Sequence, residues 1–304
     1  MITGFSEMLQ YAFITRALIV GLLVSLCAAL LGVILVLKRY SMIGDGLSHV
    51  GFGTLALAMS LGTIVQALSS MDIPAAASWT VPVLRFFSNL PSPLFITLPV
   101  VMLAAVLLLR LNQNSHIKGD AAIALVSNGS MAVGIIVISL TTGMNLDVCN
   151  YLFGSILSTT KYDMYISFGV FILVVGLFVF FYNKIFAVTF DESFARATGT
   201  KAGHYNTLIA LLTAMVIVVG MRIMGAMLIS CLVIFPALTS MRIFHSFKSV
   251  VISSSIVSVF CFIIGMFISF QVQTLPSGAT VVSVNLIAFL FFSILGKIMR
   301  KVRA

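Results

Sequence analysis

Lys38–Gly53 reads KRYSMIGDGLSHVGFG, a charged step that leads straight into a helix-like run carrying Asp45 and His49. On a helix, residues at this i, i+4 spacing share one face and lie close enough to grip a single ion together. The segment that follows, 50–65, carries no charge. An Asp within a membrane-spanning helix costs about 2.5–3.5 kcal/mol on insertion scales, so such residues usually face a pathway or a partner. Residue chemistry leaves a second reading open. In it Asp45 caps a helix beginning near Gly46, and His49 is a satisfied first-turn side chain at the membrane surface.

The composition around that stretch excludes a soluble globular domain. Over 304 residues the chain is 61% hydrophobic and 8% charged, which predicts an all-α, polytopic membrane protein folded as one domain, 1–304. Apolar stretches of about the 20-residue length a bilayer demands fall near 17–37, 46–65, 94–110, 121–141, 164–182, 205–221, 224–241, 249–270 and 280–296. These are nine candidate crossings, or as few as seven if the closely spaced pair around Arg222 or the segment 142–163 is re-entrant.

The 17 Lys and Arg outnumber the 8 Asp and Glu. They stand singly or in pairs at the ends of apolar runs, with no aromatic-interleaved basic patch, so nucleic acid is not an expected partner. Read as topology, Lys38, Arg39, Arg110, Lys184, Arg196, Lys201, Arg242 and Lys297 belong to a large majority on one side, while Arg16, Arg85, Lys161 and Arg222 lie on the other. The majority side is expected to be cytoplasmic, with the N-terminus outside and the C-terminus inside. Residues 1–14 carry only Glu7 and do not resemble a cleavable signal. Cys27, Cys149, Cys231 and Cys261 form no C-x-x-C pair and read as small core residues.

Along the chain, Gly21 with Ser25 and Ala28 with Gly32 are small-residue pairs that allow a second helix to approach closely. Residues 66–93 hold most of the prolines and the single Trp and read as an external loop, a docking surface or plain linker. Ser127, Asn128 and Ser130 are expected to face the bundle interior, and Ser253, Ser254, Ser255, Ser258 and Asn285 to bond between helices. Asp147–Thr160 is too short to span between Asp147 and Lys161 and suggests a re-entrant piece. His116, in a polar turn, reads as solvated.

Phe190–His204, FDESFARATGTKAGH, predicts a short helix over about 191–204. Asp191 caps it, Phe194, Ala195 and Ala197 give it a small apolar face, and Gly199 ends it. Gly225–Ala237, GAMLISCLVIFPA, places Pro236 in an apolar helix, where it frees a carbonyl and permits a kink. The chain has no G-x-x-x-x-G-K-[ST], H-E-x-x-H or G-x-S-x-G. It is therefore not expected to be an enzyme, and any ATP hydrolysis belongs to another subunit.

Four of these stretches resemble one family. S-x-I-G-D-x-L-S-H over 41–49, Y-L-F-G-S-I-L over 151–157, F-D-E-x-F-A-x-A-x-G over 190–199 and G-x-x-L-[VI]-S-x-L-x-I-x-P-A over 225–237 are similar to the signatures of the permease subunits of bacterial zinc, manganese and iron ABC importers. The resemblance implies the ABC importer permease fold in a bacterial plasma (inner) membrane. It implies a homodimer or paired permease, two cytoplasmic ATPase subunits and an external or periplasmic metal-binding protein. Asp45 and His49 would line the path and contact the metal. Asp191, Glu192, Phe194, Ala195, Arg196 and Gly199 would form the coupling helix on the ATPase, and Gly225 and Pro236 a gating or kink position.

No resident cofactor is implied, because the divalent metal is cargo. A two-fold axis along the pore would bring two Asp45/His49 pairs together, and a sulfur-free O and N ligand set suits Mn²⁺, Zn²⁺ or Fe²⁺ without separating them well. Both groups must be unprotonated to bind, so transport is expected to weaken as the medium is acidified into the ordinary titration range of histidine. Two other readings remain at this point: the permease of a vitamin or iron-chelate importer, and an ion-coupled secondary transporter with no ATPase.

Overall fold

Backbone groups in an apolar membrane interior have no water to bond, so each crossing segment must close its hydrogen bonds internally, as a helix does. The computed structural model describes residues 10–69, 94–114, 119–141, 154, 161–272 and 275–303. Each of the expected apolar stretches falls on a helix there, and no strand occurs among the described residues. In chain order the helices are α1 (Ala12–Leu37), α2 (Ser41–Ser69), α3 (Leu94–Asn114), α4 (Gly119–Thr141), α5 (Lys161–Phe180) and α6 (Tyr182–Phe190). They continue with α7 (Glu192–Ala197), α8 (Ala202–Met224), α9 (Ala226–Ser240), α10 (Phe247–Gln271) and α11 (Ser277–Arg303).

Among the described residues 7 helices are long and apolar enough to span, within the expected seven to nine: α1, α3, α4, α5, α8, α10 and α11. α9 is apolar but has 15 residues, a rise of about 22 Å against a hydrocarbon core of about 30 Å. α2 runs for 29 residues, opening on Ser41, Asp45, Ser48 and His49 and continuing through the uncharged stretch 50–65. It also continues through Ser69, so the first residues of the expected 66–93 loop are helical. Residues 70–93, His116, Cys149 and all of 142–160 except Gly154 lie outside the described residues.

α1 and α8 form the centre, with 72% of each span window buried, whereas α4, α5 and α11 lie at the periphery with 22%, 22% and 17%. The outer surface is apolar, with Leu103, Leu125, Leu140, Phe180 and Ile287 exposed, as a lipid-facing surface requires. The close approach expected of the small residues on α1 is present. A Cβ on Gly32 would sit 1.9 Å from the Val233 carbonyl oxygen of α9, so only Gly allows that crossing. Ser258 Oγ of α10 donates to the Ser25 carbonyl of α1 at 3.0 Å.

Several polar groups differ from expectation. Ser127 is buried, but Asn128, one residue along the same helix, points outward and is exposed. Asn285 donates to Val281 within its own helix at 2.9 Å, and Ser255 likewise donates to Val251. At these positions the i−4 carbonyl is the nearer acceptor, whereas Ser258 of that set bonds to another helix. Cys27, Cys231 and Cys261 are buried free thiols.

α8 and α9 are separated by Gly225 alone, with φ 87° and ψ 158°. That backbone conformation is nearly closed to residues with a Cβ, so Gly225 is a sharp corner between two helices. Pro236 lies inside α9 and is buried. Near the corner, Arg222 in the last turn of α8 pairs with Asp163 in the first turn of α5 at 3.3 Å. This places Arg222 and the start of α5 at one end of the bundle. The end of α1, α7 and the start of α8 gather at the other.

Candidate metal pathway and coupling helix

α2 begins where a C-terminal cap ends α1. Arg39 donates its N–H to the Val36 carbonyl at 3.1 Å and Tyr40 to Leu35 at 2.7 Å, while Arg39 itself adopts φ 60°. This is the Schellman pattern with an arginine in the left-handed position that usually belongs to Gly. The Ile43 N–H then bonds the Tyr40 carbonyl at 2.9 Å and the new helix starts at Ser41. Asp45 therefore lies inside α2, one turn past its start, and the alternative in which it caps a helix at Gly46 is not what the structure shows.

Ile43, Leu47, Ser48 and Val50 are buried, whereas Asp45 and His49 are partly open. The pair thus occupies a distinct stripe, with side chains 45% and 22% exposed. His49 Nε2 lies 3.7 Å from Asp45 Oδ2, beyond a hydrogen bond. Two ligands bound about 2.1 Å from one ion would be roughly 3.0–3.4 Å apart, so a small rotamer adjustment lets both reach it. His49 Nδ1 is buried and has no hydrogen-bond partner. The imidazole is therefore not held as a satisfied core histidine.

Ser48, beside His49, anchors this stripe. Its Oγ lies 2.7 Å from the Asp45 carbonyl oxygen and 3.0 Å from Ser230 Oγ on α9. Two of the sequence signatures meet at that contact. Neither serine was singled out from the sequence, although both stand at fixed places in the quoted patterns. No group of three or more His, Cys, Asp or Glu occurs among the described residues, so one chain offers one carboxylate and one imidazole here.

A short helix is present where one was expected, but it is shorter than 191–204. α7 covers Glu192–Ala197, and Asp191 is its N-cap, accepting from the Phe194 N–H at 2.9 Å. Gly199, at φ 83°, ends it with bonds from Gly199 to Arg196 and from Thr200 to Ala195, a second Schellman cap. α8 begins at Ala202, so His204 belongs to that helix. The small apolar face expected of Phe194, Ala195 and Ala197 is split. Ala195 is fully buried against Val188 and Ala202, whereas Phe194 is 64% exposed and Ala197 is exposed. Phe194 and Ala197, three residues apart, lie within about 60° of each other, while Ala195 is turned about 100° from Phe194 toward the inside.

α7 is joined to the end of α1. Glu192 accepts from Asn206 Nδ2 at 3.0 Å, pairs with Arg196 at 2.5 Å on its own helix, and lies 3.8 Å from Lys38 Nζ. Lys38 Nζ also donates to Asn206 Oδ1. Its side chain is 7% exposed. Burial pushes the Lys38 ammonium below its ordinary pKa, with the Glu192 charge opposing. Burial acts to raise Glu192, but hydrogen bonds from Asn206 and Arg196, with the Lys38 and Arg196 charges, outweigh it and hold the carboxyl below its ordinary value. Two hydrogen-bond donors, Asn206 and Arg196, and the nearby Lys38 cation converge on Glu192, so the ionised carboxylate is the form the geometry favours.

The manganese import system permease protein ScaB of Streptococcus gordonii is 29% identical over 281 residues, 92% of this chain and 90% of that protein. The high-affinity zinc uptake system membrane protein ZnuB of Haemophilus influenzae is 27% identical over 283 residues, 93% and 96% of the two chains. Among solved structures, PsaBC from Streptococcus pneumoniae in complex with Fab matches with a TM-score of 0.78 at 28% identity, covering 96% of this chain and 95% of that one. A family model described as the ABC 3 transport family matches residues 10–296, and the chain belongs to that family.

Proposed function

We propose that this chain is the membrane-spanning permease of an ATP-driven importer of divalent transition metal ions, with Asp45 and His49 as cargo ligands in its path. The observation that carries the ligand assignment is the pair itself. A carboxylate and an imidazole share an open stripe beside the buried residues Ile43, Leu47, Ser48 and Val50, and the imidazole has a buried nitrogen without a partner. Relatives named for manganese and for zinc support those two ions. Fe²⁺ fits the same O and N donors.

A single pair is thin for a divalent ion, and a second copy related by a two-fold axis supplies the missing ligands. Exposed Asn128 at membrane depth on α4 supports a partner over that face. Cytoplasmic ATPase subunits engage α7, with Phe194 outward, and an external binding protein delivers the ion at the end that holds Arg222. This orientation puts Lys38, Arg196 and Lys201 in the cytoplasm. Closure of the ATPases moves α7 and alternates access to Asp45 and His49, which hold the ion weakly enough to release it.

Uptake of radiolabelled Mn²⁺, Zn²⁺ and Fe²⁺ by cells expressing the chain with and without its ATPase tests the reading. Accumulation of at least one ion that disappears without the ATPase is expected. Uptake that persists without the ATPase would identify a secondary transporter instead.

A further inference from the structure

The Lys38, Glu192 and Asn206 cluster is not accounted for by the pathway or by a docking surface. Lys38 could place its ammonium in water by a change of rotamer, as lysines at helix ends commonly do. Its side chain is instead 7% exposed and held between Asn206 of α8 and Glu192 of α7. Leu35, Ile43, Ile209 and Ala210 line the small cavity beside Lys38 and Asn206, and their apolar walls favour keeping the polar partners together. The partners are 168 and 14 residues apart along the chain, so the fold assembles this cluster.

Its position relative to α2 gives it a consequence. Lys38 caps α1, and only Arg39 and Tyr40 separate it from Ser41, where α2 begins. Both of those residues are fixed by cap bonds to Val36 and Leu35, and Arg39 sits in the left-handed region. The connection has no slack. α2 is continuous from Ser41 through Asp45 and His49, so a pull on Lys38 reaches the pair through a rigid corner and one helical turn. On the other side, Glu192 lies in the first turn of α7 and is braced by Arg196.

We propose that Lys38, Asn206 and Glu192 form the joint through which α7 moves the start of α2, so that they position Asp45 and His49 without touching cargo. The inference rests on α7 being the ATPase contact. Breaking the joint leaves the motor running and disconnects it from the path.

The test uses the purified permease–ATPase complex in proteoliposomes, comparing wild type, Lys38→Met, Glu192→Gln and the double variant. The readout is radiolabelled Mn²⁺ or Zn²⁺ moved per ATP hydrolysed. Each single change is expected to lower that ratio about tenfold, a usual size for coupling between sites. In Lys38→Met, ATP hydrolysis stays within about twofold of wild type. Because both residues act through one contact, the double variant is expected to be no worse than either single. An unchanged ratio, or single effects that multiply in the double variant, overturns the joint.

Phe194→Asp separates this failure from that of the underlying reading. If it strips the ATPase from the complex while Lys38→Met keeps the wild-type ratio, α7 docks the motor and only the joint is wrong. If the ATPase stays bound and coupled in Phe194→Asp, the coupling reading falls and the joint falls with it. Should Lys38→Met fail to accumulate, Glu192→Gln and Asn206→Leu form the cycle under the same criteria.

Discussion

Asp45 and His49 on α2 and the Lys38, Glu192, Asn206 and Arg196 group at the end of α1 are separated by little more than a helical turn. Their states of satisfaction are opposite. In the first, Nε2 and Oδ2 stand 3.7 Å apart and His49 Nδ1 has no partner. In the second, a carboxylate draws on an amide at 3.0 Å and two cations, and the same amide accepts from the buried lysine. A polar group that is left unsatisfied near a protein interior costs stability unless something visits it. A fully connected network rigidifies what it joins. The proposal assigns cargo to the first group and transmission to the second.

That contrast can be broken most forcefully at Glu192. Glu192→Ala leaves Lys38 buried without its carboxylate. Loss of about 1–3 kcal/mol of stability is expected, read as a lower thermal midpoint of the complex in nanodiscs. An unchanged midpoint would mean that the network is not the satisfied member of the comparison. Ser48 gives a finer discrimination, because it adjoins His49 yet is itself bonded to the Asp45 carbonyl and Ser230. Ser48→Ala is expected to cost about 1 kcal/mol while uptake declines far less than on loss of either ligand. Abolished uptake with an unchanged midpoint would make Ser48 part of the path. The smallest effect is expected at Ser258, whose bond to Ser25 ties α10 to α1 remote from both groups. Ser258→Ala should cost about 0.5 kcal/mol with metal selectivity unaltered in competition uptake.

Much of the architecture was legible because membrane helices are written as composition. A run of apolar residues of sufficient length has one way to satisfy its backbone, and all the expected stretches are helical. The Asp45/His49 face was legible from spacing, as were Asp191 as a cap and Gly199 as a stop. What failed has local causes. The start of α2 was left open between a helix already carrying Asp45 and one beginning near Gly46, because Arg39 takes the left-handed cap position without the Gly that would announce it. The coupling helix was read too long because the α8 start at Ala202 has no strong capping residue, Lys201 making no side-chain cap bond. Asn128 faces outward because its angular position on α4 differs from that of Ser127 by about 100°. The meeting of Lys38, Asn206 and Glu192 carried no signal in the sequence. In the sequence Lys38 is one basic residue at a helix end, and its partners are brought to it only by the packing of α1 against α8.

The most direct measurement of the central claim is uptake of radiolabelled Mn²⁺ and Zn²⁺ by cells expressing wild type, Asp45→Asn or His49→Ala with the ATPase, at matched membrane levels of assembled complex. Loss of a metal ligand should exceed the roughly 10–100-fold penalty of losing an outer-shell partner, so both variants are expected to fall to background. The complex should still assemble, because neither side chain makes a hydrogen bond that holds α2 in place. Uptake that survives both substitutions would contradict the account and return Asp45 and His49 to the status of ordinary polar residues on an open helix face.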